Sequence, residues 1–76
     1  MRALVTVMLK EGVFDPQGEA IRHALGTLGF TGVEGVRQGK VIALDLTDSV
    51  TRSDVERMCE TLLANTVIES YRIEMN

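Results

Sequence analysis

Few places in this chain could support chemistry, and the first is Gly12 to Gly18, GVFDPQG. Two glycines around an Asp-Pro pair could form a nucleotide loop. A phosphate cradle, however, needs a run of free backbone N–H groups, usually with a lysine at the helix entry. Pro16 has no N–H, and no lysine follows it. The same residues fit a helix start, with Asp15 as N-cap accepting from first-turn amides and Pro16 at the first helical position with φ already set. The second place is VRQGK, where Arg37 and Lys40 flank a turn and could hold an anion or a partner's carboxylate, or simply solubilise a hairpin. His23 is the only imidazole and falls on a polar helix face without an evident partner. Cys59, next to Met58 and above Leu62 and Leu63, reads as a small core residue rather than a nucleophile. The carboxylates Asp45, Asp48, Asp54, Glu56 and Glu60 are dispersed as on a solvated face and form no acid–base pair. With one cysteine and one histidine, neither a disulfide nor a paired Cys/His zinc site is expected, and no catalytic or metal set is assigned.

The bulk numbers narrow the function further. Lys and Arg number 8 against 11 Asp and Glu, giving a net charge of −3, which opposes sequence-independent attraction to nucleic acid or anionic lipid. The 76 residues allow a single domain over 1–76. At this size one core rarely supplies more than about 3–5 kcal/mol, so self-association is the expected reinforcement. In the N-terminal MRALVTVMLKEG, Thr6 interrupts the apolar run and Lys10 and Glu11 follow at once. That pattern fits a strand better than a signal peptide, and no stretch approaches a membrane span. A cytoplasmic location is expected.

The elements that must position these residues follow from periodicity. Ala3 to Leu9 is apolar in both alternating sets, the pattern of a strand covered on both faces. Ala20, Ile21, Ala24, Leu25 and Leu28 recur at helical spacing, and Gly29 is placed to close that helix. Val33–Arg37 and Lys40–Leu46 read as a hairpin turning at Gln38-Gly39, with Gly39 left-handed. In TDSVTRSD, Thr51 or Ser53 caps a second helix carrying Val55, Met58, Cys59, Leu62 and Leu63 on one face, and Asn65 stops it. Ile68 to Met75 alternates as a last strand. The order βαββαβ predicts an α+β fold, a two-layer sandwich with a four-stranded sheet and two helices on one face. The helix-free face would remain apolar, inviting another subunit.

Taken together, KEGVFDPQG, VRQGK and LLANTVIESY resemble the PurS family over about Val5 to Glu74. The resemblance implies the small, non-catalytic subunit of phosphoribosylformylglycinamidine synthase in purine biosynthesis. It would bridge a glutaminase subunit that releases ammonia and a large synthetase subunit that adds it to formylglycinamide ribonucleotide. No cofactor is implied in this subunit; ATP and magnesium are expected in the synthetase. Dimers or tetramers are implied as well. Carried over position by position, the family pattern takes in Lys10, Gly12, Val13, Asp15, Pro16, Gln17 and Gly18, then Arg37, Gly39 and Lys40, then Leu63, Ala64, Asn65, Ile68, Glu69 and Tyr71. Of these, Arg37, Lys40 and Asn65 are assigned to partner contact. Phe14 stands where leucine is common, and Thr66 where proline is usual after Asn65. Fold alone does not decide function, so a stand-alone small-molecule-binding regulator is the alternative.

Overall fold

The computed structural model describes residues 1–76. Strand β1 is Arg2–Leu9, helix α1 Pro16–Thr27, strand β2 Gly39–Asp45, helix α2 Arg52–Met58 and strand β3 Glu69–Met75; a π-helical turn, Cys59–Leu63, continues α2. The strands form one antiparallel sheet in the order β2-β1-β3. β1 takes the centre because both of its alternating faces are apolar. Val5 pairs with Ile42 on one side and Ile73 on the other. Ala3, Val5 and Val7 meet Val55 and Cys59 from the helix side, and Ala64 and Ile73 complete the core. Val5 and Val7 thus point into the chain's own core. The helix-free face carries Leu4, Thr6 and Met8 with Ala43 and an exposed Val41 opposite them.

The helix starts are built as their sequences dictate. Asp15 caps α1 by accepting from the amide of Gly18, with Pro16 in the first turn. At the other end Gly29, at φ +94°, ends α1 with a paired closure: the Gly29 amide donates to the Gly26 carbonyl and the Phe30 amide to that of Leu25. Thr51 and Asp54 form a reciprocal capping box for α2, each side chain accepting from the other's backbone amide. No helix is long and apolar enough to cross a membrane.

Two expectations of the sequence reading are corrected. The sheet has three strands, not four, because Val33–Arg37 forms no strand and residues 31–38 carry no regular secondary structure. Gly32 sits at φ +92°, and Gly35 and Glu34 weaken the strand preference of the two valines between Gly32 and Arg37. The Gln38 amide is held by the Asp15 carboxylate instead of a ladder partner. Gln38-Gly39 is therefore not a hairpin turn. Gly39 is not left-handed either; it lies opposite Met8 in β2, where a Cβ would collide with the Met8 side chain and the Val7 carbonyl.

The second correction concerns α1, which does not join α2 on the sheet. Its first turn is tied to residues 36–38, and the rest projects as an arm, stretching the chain to 50 × 24 × 14 Å. Phe14, Leu28 and Phe30 are all more than half exposed.

Asn65 forms the turn into β3. Its carbonyl accepts from the amides of Ile68 and Glu69, and its side-chain oxygen accepts from that of Val67. Thr66 occupies the second position of this turn, and its own amide donates to nothing in the chain. Proline is favoured at that position because its fixed φ matches the turn. Thr66→Pro is expected to raise stability by about 0.4–1 kcal/mol, chiefly by restricting the unfolded chain. A urea denaturation midpoint that falls would show that the turn needs the freedom threonine gives.

Candidate functional site

Because β2 and β3 both run antiparallel to β1, the end of β1 and the starts of β2 and β3 meet at one end of the sheet. Three stretches far apart in sequence converge there. The Asp15 carboxylate joins two of them, one oxygen accepting from Gly18 N at 2.9 Å and the other from Gln38 N at 2.7 Å. Gln38 Nε2 adds a bond to Gln17 Oε1 at 3.0 Å. Gly18 is buried in this seam, where a Cβ would strike the Val36 carbonyl and the Asp15 side chain. Arg37 Nη2 donates to the carbonyls of Leu9 at 2.5 Å and Lys10 at 3.0 Å, fastening the same segment to the end of β1. The Lys10 amide donates to the Ile68 carbonyl at 2.8 Å and so brings in the third stretch, the Asn65 turn.

The electrostatics of this end are asymmetric. Two of its carboxylates are occupied by backbone amides, Asp15 by Gly18 and Gln38, and Glu69 by the amide of Asn65 at 2.7 Å, while Glu11, beside Lys10, is exposed and unpaired. The bonds from Gly18 and then Gln38 hold the Asp15 carboxyl below the ordinary aspartate range. Lys10 and Lys40, by contrast, take part in no ion pair and are exposed. Lys40 stands over a cleft of about 310 Å³ whose floor is Val7 and Leu9 and whose rim includes Gln17 and Glu69. The arrangement places the exposed Lys40 ammonium and the Gln17 side-chain amide beside a small apolar patch of Val7 and Leu9, donors that an anionic group could engage.

Of the residues assigned to partner contact, Lys40 is therefore open, whereas Arg37 spends part of its guanidinium on carbonyls of its own chain. Asn65 builds a turn at the same end of the sheet. His23 is exposed on the projecting part of α1 and its side chain takes no part in these hydrogen bonds, and Cys59 is fully buried, its thiol pushed up by that burial. No group of three or more His, Cys, Asp or Glu side chains could hold a metal ion. Gln38 is the contributor that sequence reasoning passed over, as a turn residue; it acts through Asp15, 23 positions away, and no local pattern marks it, whereas Glu69, present in the family pattern, acts locally on the Asn65 amide.

The chain is thus a small three-stranded α+β module with its motif residues gathered at one sheet end. The family model described as "PurS: Phosphoribosylformylglycinamidine (FGAM) synthase" matches residues 2–76, and the chain belongs to the PurS family. The chain is 53% identical to phosphoribosylformylglycinamidine synthase subunit PurS of Mycobacterium leprae, over 95% of this chain and 91% of that one. Identity to the Bacillus subtilis PurS subunit is 51%, over 93% and 87%. A crystal structure of B. subtilis PurS superposes with a TM-score of 0.86, covering 96% of this chain and 94% of that one at 48% identity. A chain in the structure of PurLQS from Thermotoga maritima superposes with a TM-score of 0.82 at 30% identity, covering 96% and 93%.

The lowered Asp15 pKa sets a pH dependence. A carboxyl depressed in the folded state contributes stability above its unfolded value, about 3.9, and loses it as pH falls through the lower folded value. Asp15→Ala should thus be less stable than wild type at neutral pH, with the gap closing as pH falls below about 4. Thermal denaturation of both proteins from pH 7 to pH 2 measures the gap. A gap that stays constant would mean that the charge of Asp15 contributes nothing to the seam.

Proposed function

We propose that this chain is the non-catalytic assembly subunit of a cytoplasmic phosphoribosylformylglycinamidine synthase in de novo purine biosynthesis. It bridges a glutaminase subunit and an ATP-dependent synthetase subunit and keeps ammonia transfer coupled to synthesis. ATP and magnesium belong to the synthetase, and this chain holds no cofactor of its own. It acts as a homo-oligomer, for which the small core supplies the motive.

The observation that carries this reading is the convergence of Lys10, Asp15, Gln17, Arg37, Lys40 and the Asn65 turn on one end of the sheet. A network that occupies Asp15 and Glu69 internally and leaves Lys10 and Lys40 unpaired can meet an acidic partner. Membership of the PurS family supports the choice of complex, as does the likeness to a chain of the PurLQS structure.

Lys40→Glu tests the reading with little risk to the fold, since exposed substitutions usually change stability by no more than about 0.5 kcal/mol. With the synthetase and glutaminase subunits added, glutamine-dependent synthesis is expected to fall about tenfold, equivalent to ~1.4 kcal/mol of docking free energy. Synthesis driven by free ammonia should largely survive. Equal loss of both activities would instead assign this end of the sheet to the synthetase's own catalysis, and no loss of either would remove Lys40 from the interface.

A further inference from the structure

Lys40 is the second residue of β2, an edge strand, and the chain just before Gly39 has no regular structure. The end of an edge strand frays unless something outside the ladder holds it. Here two side chains at the start of α1 do so: Asp15 Oδ2 accepts from the Gln38 amide at 2.7 Å, and Gln17 Oε1 accepts from Gln38 Nε2 at 3.0 Å. Asp15 Oδ1 is meanwhile taken by the Gly18 amide at 2.9 Å, so one oxygen caps the helix and the other pins the residue two before Lys40. Gly18 makes this pairing possible, because a Cβ there would strike the Val36 carbonyl and the Asp15 carboxylate. A cap needs only one of the two oxygens. The second bond reaches across 23 positions, adds nothing to the helix, and ends beside the lysine that stands over the Val7 and Leu9 cleft.

We propose that Asp15 is a positioning residue for docking: through Oδ2 and the Gln38 amide it fixes the start of β2, and so holds Lys40 where an acidic group of the partner subunits meets it. Asp15 acts through Lys40 and does not itself touch the partner. The inference rests on the docking function proposed above and adds to it that Lys40 is effective only in the place Asp15 gives it. Asp15→Asn separates the two duties of the carboxylate. Asparagine caps helices about as well as aspartate, but it has a single acceptor oxygen, and its NH2 would face the other amide donor to donor. The Gly18 amide is fixed in the helix, whereas residues 31–38 can withdraw, so the bond to Gln38 is the one lost. Gly18→Ala opens the same seam sterically, from the Val36 side.

The experiment titrates each variant into a fixed amount of the synthetase and glutaminase subunits and records glutamine-dependent synthesis, with amide exchange of Gln38 measured in the free chain. Either variant that keeps native circular dichroism decides the question. Gln38 should exchange faster than in wild type. The concentration of chain giving half-maximal synthesis should rise about fivefold, a coupling within the range for residues in one hydrogen-bond network, while the rate at saturating chain stays near wild type. A general loss of structure would lower that saturating rate as well. Made in a Lys40→Met chain, the same substitution should add less than about twofold, because the lysine it positions is gone. A half-maximal concentration that does not move although Gln38 exchanges freely would overturn the inference and leave the docking function standing. So would a rise of equal size with and without Lys40, or a Gln38 amide that stays protected in both variants. A Lys40→Met chain that docks as well as wild type would overturn the docking function itself, and this inference with it.

Discussion

The carboxylate of Asp15 is the constraint on which the rest of this structure depends. One oxygen satisfies an orphan amide at the start of α1, and the other takes the amide of Gln38 just before β2. A cap that needs only the helix would leave its second oxygen in water. Here that oxygen fixes where the chain must return after a helix of 12 residues and a long irregular segment. Gly18 follows from the same contact, because only a residue without Cβ lets the Val36 carbonyl come so close. The register of β2 against β1, beginning at Gly39 opposite Met8, starts directly from this seam.

Much of the local architecture could be read from residue types. The Asp15-Pro16 start, the Gly29 closure, a cap for α2 (Thr51 of the two candidates, Thr51 and Ser53) and the strands of β1 and β3 all rest on local chemistry, and the structure contains each. The misreadings came where local preference was weak and tertiary contact decided. Val33 and Val36 suggest a strand, but the glycines at 32 and 35 dilute that preference, and Gln38 gives its amide to Asp15. The apolar face of α1 correctly signals a helix that wants to be buried, yet periodicity cannot say what buries it. At the candidate site, Asp15, Arg37 and Lys40 were visible as chemically distinctive residues. Their division of labour was not, because whether a cation is free or spent on a carbonyl depends on residues 27 and 28 positions away.

Function follows from how little the chain keeps for itself. Seven side chains make the core, and no polar side chain is buried. A protein with so small an interior gains rigidity from backbone hydrogen bonds and close glycine contacts, which is what the seam provides. The hydrogen bonds anchor the backbone of Lys10 and Lys40 within this end rather than on a flexible tail, which would lower the ordering cost of the docking proposed above. The apolar surface left over lies elsewhere, on α1 and beside α2. The exposed lysines at the sheet end and the apolar surface along the arm thus occupy separate parts of the molecule.

The proposed role requires the seam-bound sheet end to meet the other subunits of the synthase. Amide hydrogen exchange of this chain, measured alone and then with the synthetase and glutaminase subunits, tests it most directly. The account predicts new protection at residues 9–18, 36–40 and 65–70 together, with exchange along the middle of α1 unchanged from the free homo-oligomer. Protection confined to α1 or to the helix-free face, with the three converging stretches unaltered, would contradict it.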